Sequence, residues 1–228
     1  MPVKTAEEEV TAVVEEYLEC IYRLQEKEGV ARTSSIVKSL GVAPGTVTNT
    51  VERLEEEGFV THVSYRGVKL TEKGRRIALQ VVRRHRLSER LLVDILKMDW
   101  NNVHETACRL EHSLTEDMLD HLEKVLNYPK TCPHGNPIPS KQGRILEEET
   151  QPLLALSTGE RGTVVKVIEE EPDLLSYFKR LGLVPGALVE VLEKPELEDL
   201  IRIRVDKENL VVSNALASVI HVREVVED

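Results

Sequence analysis

Three cysteines, Cys20, Cys108 and Cys132, in 228 residues are too few and too scattered for a disulfide framework, and a reducing compartment suits them better. Nor does any stretch approach the run of about 20 apolar residues that a membrane-spanning helix needs. Met1 to Val10 carry one lysine and three consecutive glutamates and do not read as a signal peptide, so a cytoplasmic protein with no membrane partner is expected. Positive charge is also scarce: 30 Lys and Arg against 40 Asp and Glu leave a formal net charge of -10. Averaged over the chain, that argues against a nucleic-acid partner. The charge is uneven, however. Arg66, Lys69, Lys73, Arg75, Arg76, Arg83, Arg84, Arg86 and Arg90 are opposed only by Glu72 and Glu89, while acid gathers before Tyr17, from Glu52 to Glu57 and in the last third. Local field decides attraction to phosphate, so the acidic total excludes little.

The chain contains 41% hydrophobic residues, enough for the cores of one to three domains. Residues 10 to 28 repeat apolar side chains at helical spacing up to Gly29. Ser34 or Ser35 is placed to cap a short second helix over Ile36 to Leu40, and Pro44 to open a third whose buried face is Val47, Val51 and Leu54. F-V-T-H-V-S-Y and G-V-K-L-T, joined at Arg66-Gly67, carry the alternation of a β-hairpin. Two helices around a tight turn followed by a hairpin make a winged helix-turn-helix. Thr71 is placed to cap a long helix reaching about Met98. A further helix is expected after Asn101 or Asn102, and another from Thr115 to Leu126. Pro129, Pro133, Pro137 and Pro139, with Gly135 and Gly143, exclude regular structure between Tyr128 and Gly143. Beyond Leu153 five short strands and one helix, opened by Pro172 and closed by Gly182, suggest a small β-barrel.

The segment H-E-T-A-C-R-L-E-H concentrates the chemistry. On a helix, His104, Cys108, Glu111 and His112 fall within an arc of about 100°. Imidazole, thiolate and carboxylate converging in this way make half of a transition-metal site. His85 and Glu89 share helical register at i, i+4, as do Glu16 and Glu19 at i, i+3. Taken singly these pairs also read as solvated surface, and Cys108 as a small buried apolar side chain. On the third helix, burial of Val47, Val51 and Leu54 turns Thr46, Thr48, Asn49 and Arg53 outward. Asn suits bidentate pairing with adenine, and hydroxyls near a helix N-terminus suit phosphate. Arg66 at the wing tip and Lys69 would meet the backbone. Ser34, Ser35 and Pro44, at the helix starts, complete the DNA-facing set.

The stretches E-E-Y-L-E-C-I-Y, H-R-L-S-E-R-L-L, V-H-E-T-A-C-R-L-E-H and C-P-H-G-N-P-I-P resemble the metal-dependent transcriptional repressors of the DtxR/IdeR/MntR type. The tail R-L-G-L-V-P-G-A-L-V-E-V resembles the FeoA-type small barrel that many members carry. The resemblance implies an α+β, mostly α chain. It divides into a winged helix-turn-helix over residues 1-74, a helical dimerisation and metal-binding domain over 75-140, a linker over 141-152 and a FeoA-like barrel over 153-228. It implies that Glu16, Cys108, Glu111 and His112 form a regulatory metal site, with Glu19 as a further carboxylate, and that His85, Glu89 and His104 form an ancillary one. Cys132 and His134 would replace or supplement His104. Counting back from V-P-G-A-L-V-E-V places Glu171 as the barrel's donor and Leu174 where a second donor would stand.

Iron-responsive relatives carry methionine at the first-helix position, whereas manganese-responsive ones use a carboxylate there and glutamate where Cys108 stands. This chain mixes the two, so the ion expected is Fe(II) or Mn(II), with thiolate softness leaning towards Fe(II). The function implied is a homodimeric repressor, without catalytic activity, that binds a palindromic duplex operator when metal clamps the first helix against the fourth and fifth, and so controls metal-uptake and homeostasis genes. Two rivals use the same ligands: a hydrolytic metalloenzyme and a metal-storage protein. The first lacks the second histidine of H-E-x-x-H and any nucleophile motif, and the second has no need of a winged helix.

Overall fold

The computed structural model describes residues 10–195 and 197–225. They divide into two compact units: the chain up to Arg83 with Pro139–Arg144, and Arg84–Ile138 with the chain from Ile145 onward.

The first unit begins with α1 (Ala12–Glu28). The Thr11 hydroxyl accepts from the Val14 N–H at its start, and Gly29, at φ 73°, closes it in the left-handed conformation that glycine adopts without strain. Its buried side chains include Val14, Tyr17, Leu18, Ile21 and Tyr22, the stripe the periodicity predicts. Helix α2 (Thr33–Leu40) starts earlier than expected, after Arg32 and with no side-chain cap. Ser34 and Ser35 therefore lie inside its first turn, and the Ser35 hydroxyl faces the Glu28 carboxylate at 3.3 Å instead. Pro44 occupies the first turn of α3 (Pro44–Glu56), which buries Val47, Val51 and Leu54.

Strands β1 (Val60–Val63) and β2 (Gly67–Leu70) pair antiparallel, from Val60 opposite Leu70 to Val63 opposite Gly67. Ala31 adds a bridge to Val68. That bridge brings backbone against Gly67, where a Cβ would lie 2.2 Å from the Ala31 carbonyl oxygen. The Thr71 hydroxyl accepts from the Gly74 N–H at 3.1 Å and so caps α4 (Glu72–Arg90), which runs on into the second unit. The α-helix ends sooner than expected: a π-helical turn, Leu91–Ile95, replaces its last part, with the Leu96 N–H bonded to the Leu91 carbonyl at 3.1 Å.

In the second unit a 3₁₀ turn (Trp100–Asn102) leads into α5 (His104–Glu111), which follows Val103 without a side-chain cap. Asn101 is spent elsewhere, donating to the Ser176 hydroxyl at 2.7 Å. Helix α6 (Glu116–Val125) lies within the expected Thr115 to Leu126, and the Thr115 hydroxyl caps it by accepting from the Met118 N–H. The proline-rich segment is a tight loop in which Thr131 bridges Pro137 and the Cys132 N–H bonds the Asn136 carbonyl at 2.8 Å.

The remaining strands are β3 (Gln151–Pro152), β4 (Arg161–Val167), β5 (Leu188–Glu193), β6 (Leu200–Val205), β7 (Glu208–Ser213) and β8 (Ile220–Glu224). They form one antiparallel six-stranded sheet in the order β3-β8-β4-β5-β6-β7. Helices α7 (Pro172–Arg180) and α8 (Asn214–Ser218) accompany it. The five expected strands are present; the two-residue β3 and α8 are additions too short to carry a period. Leu175 and Phe178 of α7 join Val164, Val189, Ile203 and Val222 of the sheet in a continuous core. No helix among the described residues is long and apolar enough to cross a membrane.

Candidate metal centre and DNA-reading surface

The second unit draws donors from four places. Helix α4 supplies His85 and Glu89, both fully buried, and α5 supplies His104, Cys108 and Glu111. The proline-rich loop supplies Cys132 and His134, also buried, and Glu170 stands just ahead of α7. His85 lies between two carboxylates, with Nε2 3.2 Å from Glu89 Oε1 and Nδ1 2.7 Å from Glu111 Oε2. The Cys108 sulfur is 3.8 Å from His85 Nδ1 and 3.7 Å from His104 Nε2. The other nitrogen of His104, Nδ1, lies 3.5 Å from Glu170 and 4.0 Å from Glu89. His134 Nδ1 is 3.4 Å from Glu89 Oε1 and 3.9 Å from Cys132 Sγ.

Second contacts orient these groups. His134 Nε2 is 2.8 Å from the Trp100 carbonyl oxygen. Donating a proton there leaves Nδ1 facing Glu89, and on losing its own proton that nitrogen would be free to bind metal, the arrangement usual for a metal-binding imidazole. The Asn136 amide donates to the Val167 carbonyl and to Glu170 Oε1, both at 3.0 Å, tying the loop and Glu170 to the end of β4. His112, at the C-terminal end of α5, places Nε2 3.3 Å from Glu111 Oε1.

The electrostatics follow from burying so many donors together. Burial alone would lower the His85 pKa, but the Glu89 charge and hydrogen bonds with Cys108, Glu111 and Glu89 more than offset it, and the pKa is raised well above its ordinary value. Burial likewise opposes a charged His134, yet Cys132 and Glu89 push its pKa up to about 11. Glu89 is held well below the usual carboxylate range: His85 and His134 outweigh its desolvation. Burial opposes the Cys108 thiolate, but bonds from His104 and His85 win and lower its pKa, whereas burial and the Glu89 charge raise that of Cys132.

These side chains fit a divalent cation. The buried Glu89 Oε2 has no hydrogen-bond partner among the described residues. A buried carboxylate oxygen left unpaired is costly, and a cation would satisfy it. The donor set also fits: imidazole, thiolate and carboxylate within 4.8 Å of one another in several combinations.

Of the expected ligands, His85, Glu89, His104, Cys108, Glu111, Cys132 and His134 come together in this unit, with His112 at its margin. In the first unit Glu19 is buried on α1 and bonded by Arg23 at 2.9 Å, while Glu16 is exposed on the same helix. Glu171 is exposed at the start of α7, where its carbonyl accepts from Leu175, and Glu170 takes the place in the cluster. Counting back from a distant motif resolves no better than one residue within Glu169-Glu170-Glu171, and the backbone turn at Pro172 decides which carboxylate faces inward. Leu174 packs against the sheet core. Asn136 and Trp100, which orient the donors, carry no recognisable signal in a single sequence.

The DNA-reading candidates lie in the first unit. Pro44, Thr46, Thr48, Asn49 and Arg53 are exposed on α3, Ser34 on α2, and Arg66 and Lys69 on the hairpin; Ser35 is half-buried. Thr48 returns its hydroxyl to the Pro44 carbonyl at 3.1 Å, and Arg53 pairs with Glu57 at 3.6 Å. A concave surface between the start of α2 and the wing includes Arg32, Thr33, Ser34, Tyr65 and Arg66. The sequence reading did not single out Arg32, Thr33 or the fully exposed Tyr65. Glu55 of α3 accepts from the His62 backbone N–H at 2.9 Å and its Oε2 lies 2.6 Å from His62 Nδ1, which fixes the wing's first strand against the end of α3. The basic stretch is not one face: Arg83 is buried, Arg75 faces Glu26, and Lys73 lies over the Phe59 ring.

A winged helix-turn-helix in the same chain as a buried imidazole, thiolate and carboxylate cluster defines a metal-responsive DNA-binding regulator. Comparison with known proteins gives the family. The iron dependent repressor N-terminal DNA binding domain matches residues 9–68, the iron dependent repressor metal binding and dimerisation domain residues 71–140, and the FeoA domain residues 151–224. The chain is 36% identical over 223 residues to the iron-dependent repressor IdeR of Mycobacterium leprae (strain TN), covering 92% of this chain and 96% of that one. It is 32% identical over 235 residues to the diphtheria toxin repressor of Corynebacterium jeikeium (strain K411), covering 92% and 96%. Among solved structures, a manganese-dependent transcriptional repressor in complex with manganese superposes with a TM-score of 0.85 at 30% identity, covering 93% of this chain and all (100%) of that one. The IdeR of T. acidophilum superposes at 0.81 and 27% identity, covering 92% and 97%. The chain belongs to the iron-dependent repressor family, a family of transcriptional repressors and not of enzymes.

Proposed function

We infer that this protein is a divalent-metal-activated transcriptional repressor that binds duplex DNA as a homodimer and needs Fe(II) or Mn(II) to do so. The observation that carries this reading is the buried cluster around Glu89, whose Oε2 lacks a partner, in a chain whose α3 exposes Thr46, Thr48 and Asn49. Neither a hydrolase nor a storage protein has a use for both.

Cys108, Glu111 and His112 would hold the regulatory ion, with Glu16 and Glu19 the first-helix residues that the family resemblance assigns to it. His85, Glu89, His104 and Glu170, with Cys132 and His134, would form the ancillary cluster. A bound divalent cation supplies positive charge where Glu89, Glu111 and Glu170 crowd together. The protein's own groups do the rest: Trp100 and Asn136 fix donor directions, and Arg23 neutralises Glu19 within α1. The lowered pKa of Cys108 readies a thiolate, which favours Fe(II), while the carboxylates keep Mn(II) in reach.

The two recognition helices of the dimer would meet successive major grooves about 34–36 Å apart, which implies a palindromic operator. Metal and operator then raise each other's affinity, because both favour the same conformation. We place the protein in the cytoplasm, acting on genes of metal uptake and homeostasis.

The test is a gel-shift titration of DNA from upstream of the protein's own gene and of metal-uptake genes, with anaerobic Fe(II) and with Mn(II). Glu111→Ala is expected to lose metal-dependent binding while retaining the wild-type circular dichroism spectrum. Unchanged operator affinity of Glu111→Ala in saturating metal would reject the reading.

A further inference from the structure

The wing is tied to its neighbours along both strands. On β2, the Leu70 N–H donates to Gln25 Oε1 of α1 at 2.7 Å, and Val68 bridges Ala31. On β1, Glu55 of α3 holds His62 by both carboxylate oxygens: Oε1 accepts the backbone N–H at 2.9 Å, and Oε2 faces Nδ1 at 2.6 Å. The backbone bond and then the imidazole bond keep the Glu55 carboxyl below the usual carboxylate range. The carboxylate is therefore ionised, and Nδ1 supplies the proton of the second bond.

His62 is placed to pass this hold along the hairpin. Its successor Val63 accepts the Arg66 N–H at 2.9 Å, which closes the turn at the wing tip. Its predecessor Thr61 stands opposite Lys69 in the ladder. His62 also lines the concave surface that Arg32, Ser34 and Arg66 border. Both cations expected to meet phosphate thus hang on residues adjacent to the one that α3 grips.

Charge alone would count Glu55 as a hindrance. With Glu52 and Glu56 it makes the second half of α3 acidic, on the helix that exposes Thr46, Thr48 and Asn49. An acid there repels phosphate, so removing it should tighten binding if it did nothing else.

We propose that Glu55 is a positioning residue for DNA: its clasp on His62 sets the wing against α3, so that Arg66 and Lys69 meet backbone phosphate while Thr46, Thr48 and Asn49 face the major groove. Without the clasp the hairpin keeps its ties along β2 but loses this hold on β1, and the two cations lose their register with phosphate. The proposal rests on the reading above only for duplex DNA as the partner.

Full-length protein saturated with Mn(II) is titrated by fluorescence anisotropy at several salt concentrations. The probes are duplex DNA from upstream of its own gene and a random-sequence duplex of equal length. Glu55→Ala is expected to weaken binding to both duplexes about tenfold and to lower the salt slope by about 1–2 units, for the phosphates that Arg66 and Lys69 no longer reach. Glu55→Gln loses the same charge but keeps an oxygen for the His62 N–H and an amide for Nδ1, and is expected to bind as the wild type does. Arg66→Ala should cost less in the Glu55→Ala background than in the wild type, because its contact is already lost. His62→Ala, which removes the imidazole bond only, is expected to fall between the wild type and Glu55→Ala. A purely structural loss would lower the melting temperature and leave the salt slope unchanged.

Wild-type or tighter binding by Glu55→Ala would overturn the proposal. So would equal effects of Glu55→Ala and Glu55→Gln, since lost charge would then be all they share, or fully additive losses from Glu55→Ala and Arg66→Ala. If Glu55→Ala does not fold, His62→Ala decides: an unchanged affinity and slope would sink the clasp. The same titrations without metal keep the two readings apart. Metal-independent binding that Glu55→Ala weakens leaves the clasp standing and rejects metal activation, and metal-dependent binding that Glu55→Ala leaves intact does the reverse. No binding of either duplex by the wild type would reject both.

Discussion

At the residue scale, the buried histidines set a dependence on pH that differs between metal-free and metal-loaded protein. His134, raised to about 11 by Cys132 and Glu89, and His85, raised well above its ordinary value by Glu89, Cys108 and Glu111, hold their protons to high pH. A raised folded-state pKa stabilises the fold fully below the unfolded value near 6.5, and that contribution is lost as pH climbs through the folded value. The metal-free protein should therefore lose stability towards denaturant from about pH 6.5 upward, with a slope of at most about 1.4 kcal/mol per pH unit for each histidine. Glu89 acts at the other end: its depressed pKa stabilises above the ordinary carboxylate value of 4.5 and is lost as pH falls through the folded value. Metal needs the imidazoles neutral, so binding releases protons and metal affinity should rise with pH over the same upper range. Urea melts of the metal-free protein at several pH values check the first point; flat stability between pH 6.5 and 9 would count against the pairing of these histidines with Glu89 and Glu111.

At the element scale, the proline-rich loop and the wing are both fixed by glycines. Gly135, at φ 87°, lies so close to the sheet that a Cβ would stand 1.9 Å from the Val165 carbonyl oxygen. Gly135→Ala should cost at least about 2 kcal/mol and move Cys132 and His134 out of the cluster, which a denaturant melt and metal-binding titration would register together. In the wing, Arg66 is exposed at the tip and would touch phosphate, not bases. Arg66→Ala should weaken binding to all duplexes alike and reduce the salt slope by about one unit; a loss confined to one sequence would contradict the assignment.

The elements also show what a sequence can carry. α1, α3 and the hairpin were legible because Leu18, Ile21, Val47, Val51 and Val68 repeat at local periods and Gly29, Pro44 and Gly58 punctuate them. The shared face of His104, Cys108 and Glu111 on α5 was legible for the same reason: helical spacing is local. That Glu170 and not Glu171 lies in the cluster, and that Asn136 and Trp100 contact it, is not legible, because what places them is tertiary. The π-helical turn at Leu91–Ile95 and the two-residue strand at Gln151 follow from packing that no period announces.

At the scale of the whole molecule, a net charge of -10 coexists with a DNA-binding surface, which is consistent only if phosphate attraction is local to α2, α3 and the wing. Salt dependence should then follow the number of phosphates that α2, α3 and the wing neutralise and not the net charge. The central claim is that metal and operator favour one conformation. The most direct measurement is operator affinity by fluorescence anisotropy at fixed salt, for the metal-free protein and across an anaerobic Fe(II) or Mn(II) titration. The account predicts a gain of tenfold or more, on the order of the 1–3 kcal/mol typical of coupled sites, reversed by a chelator. Equal affinity with and without metal would contradict it.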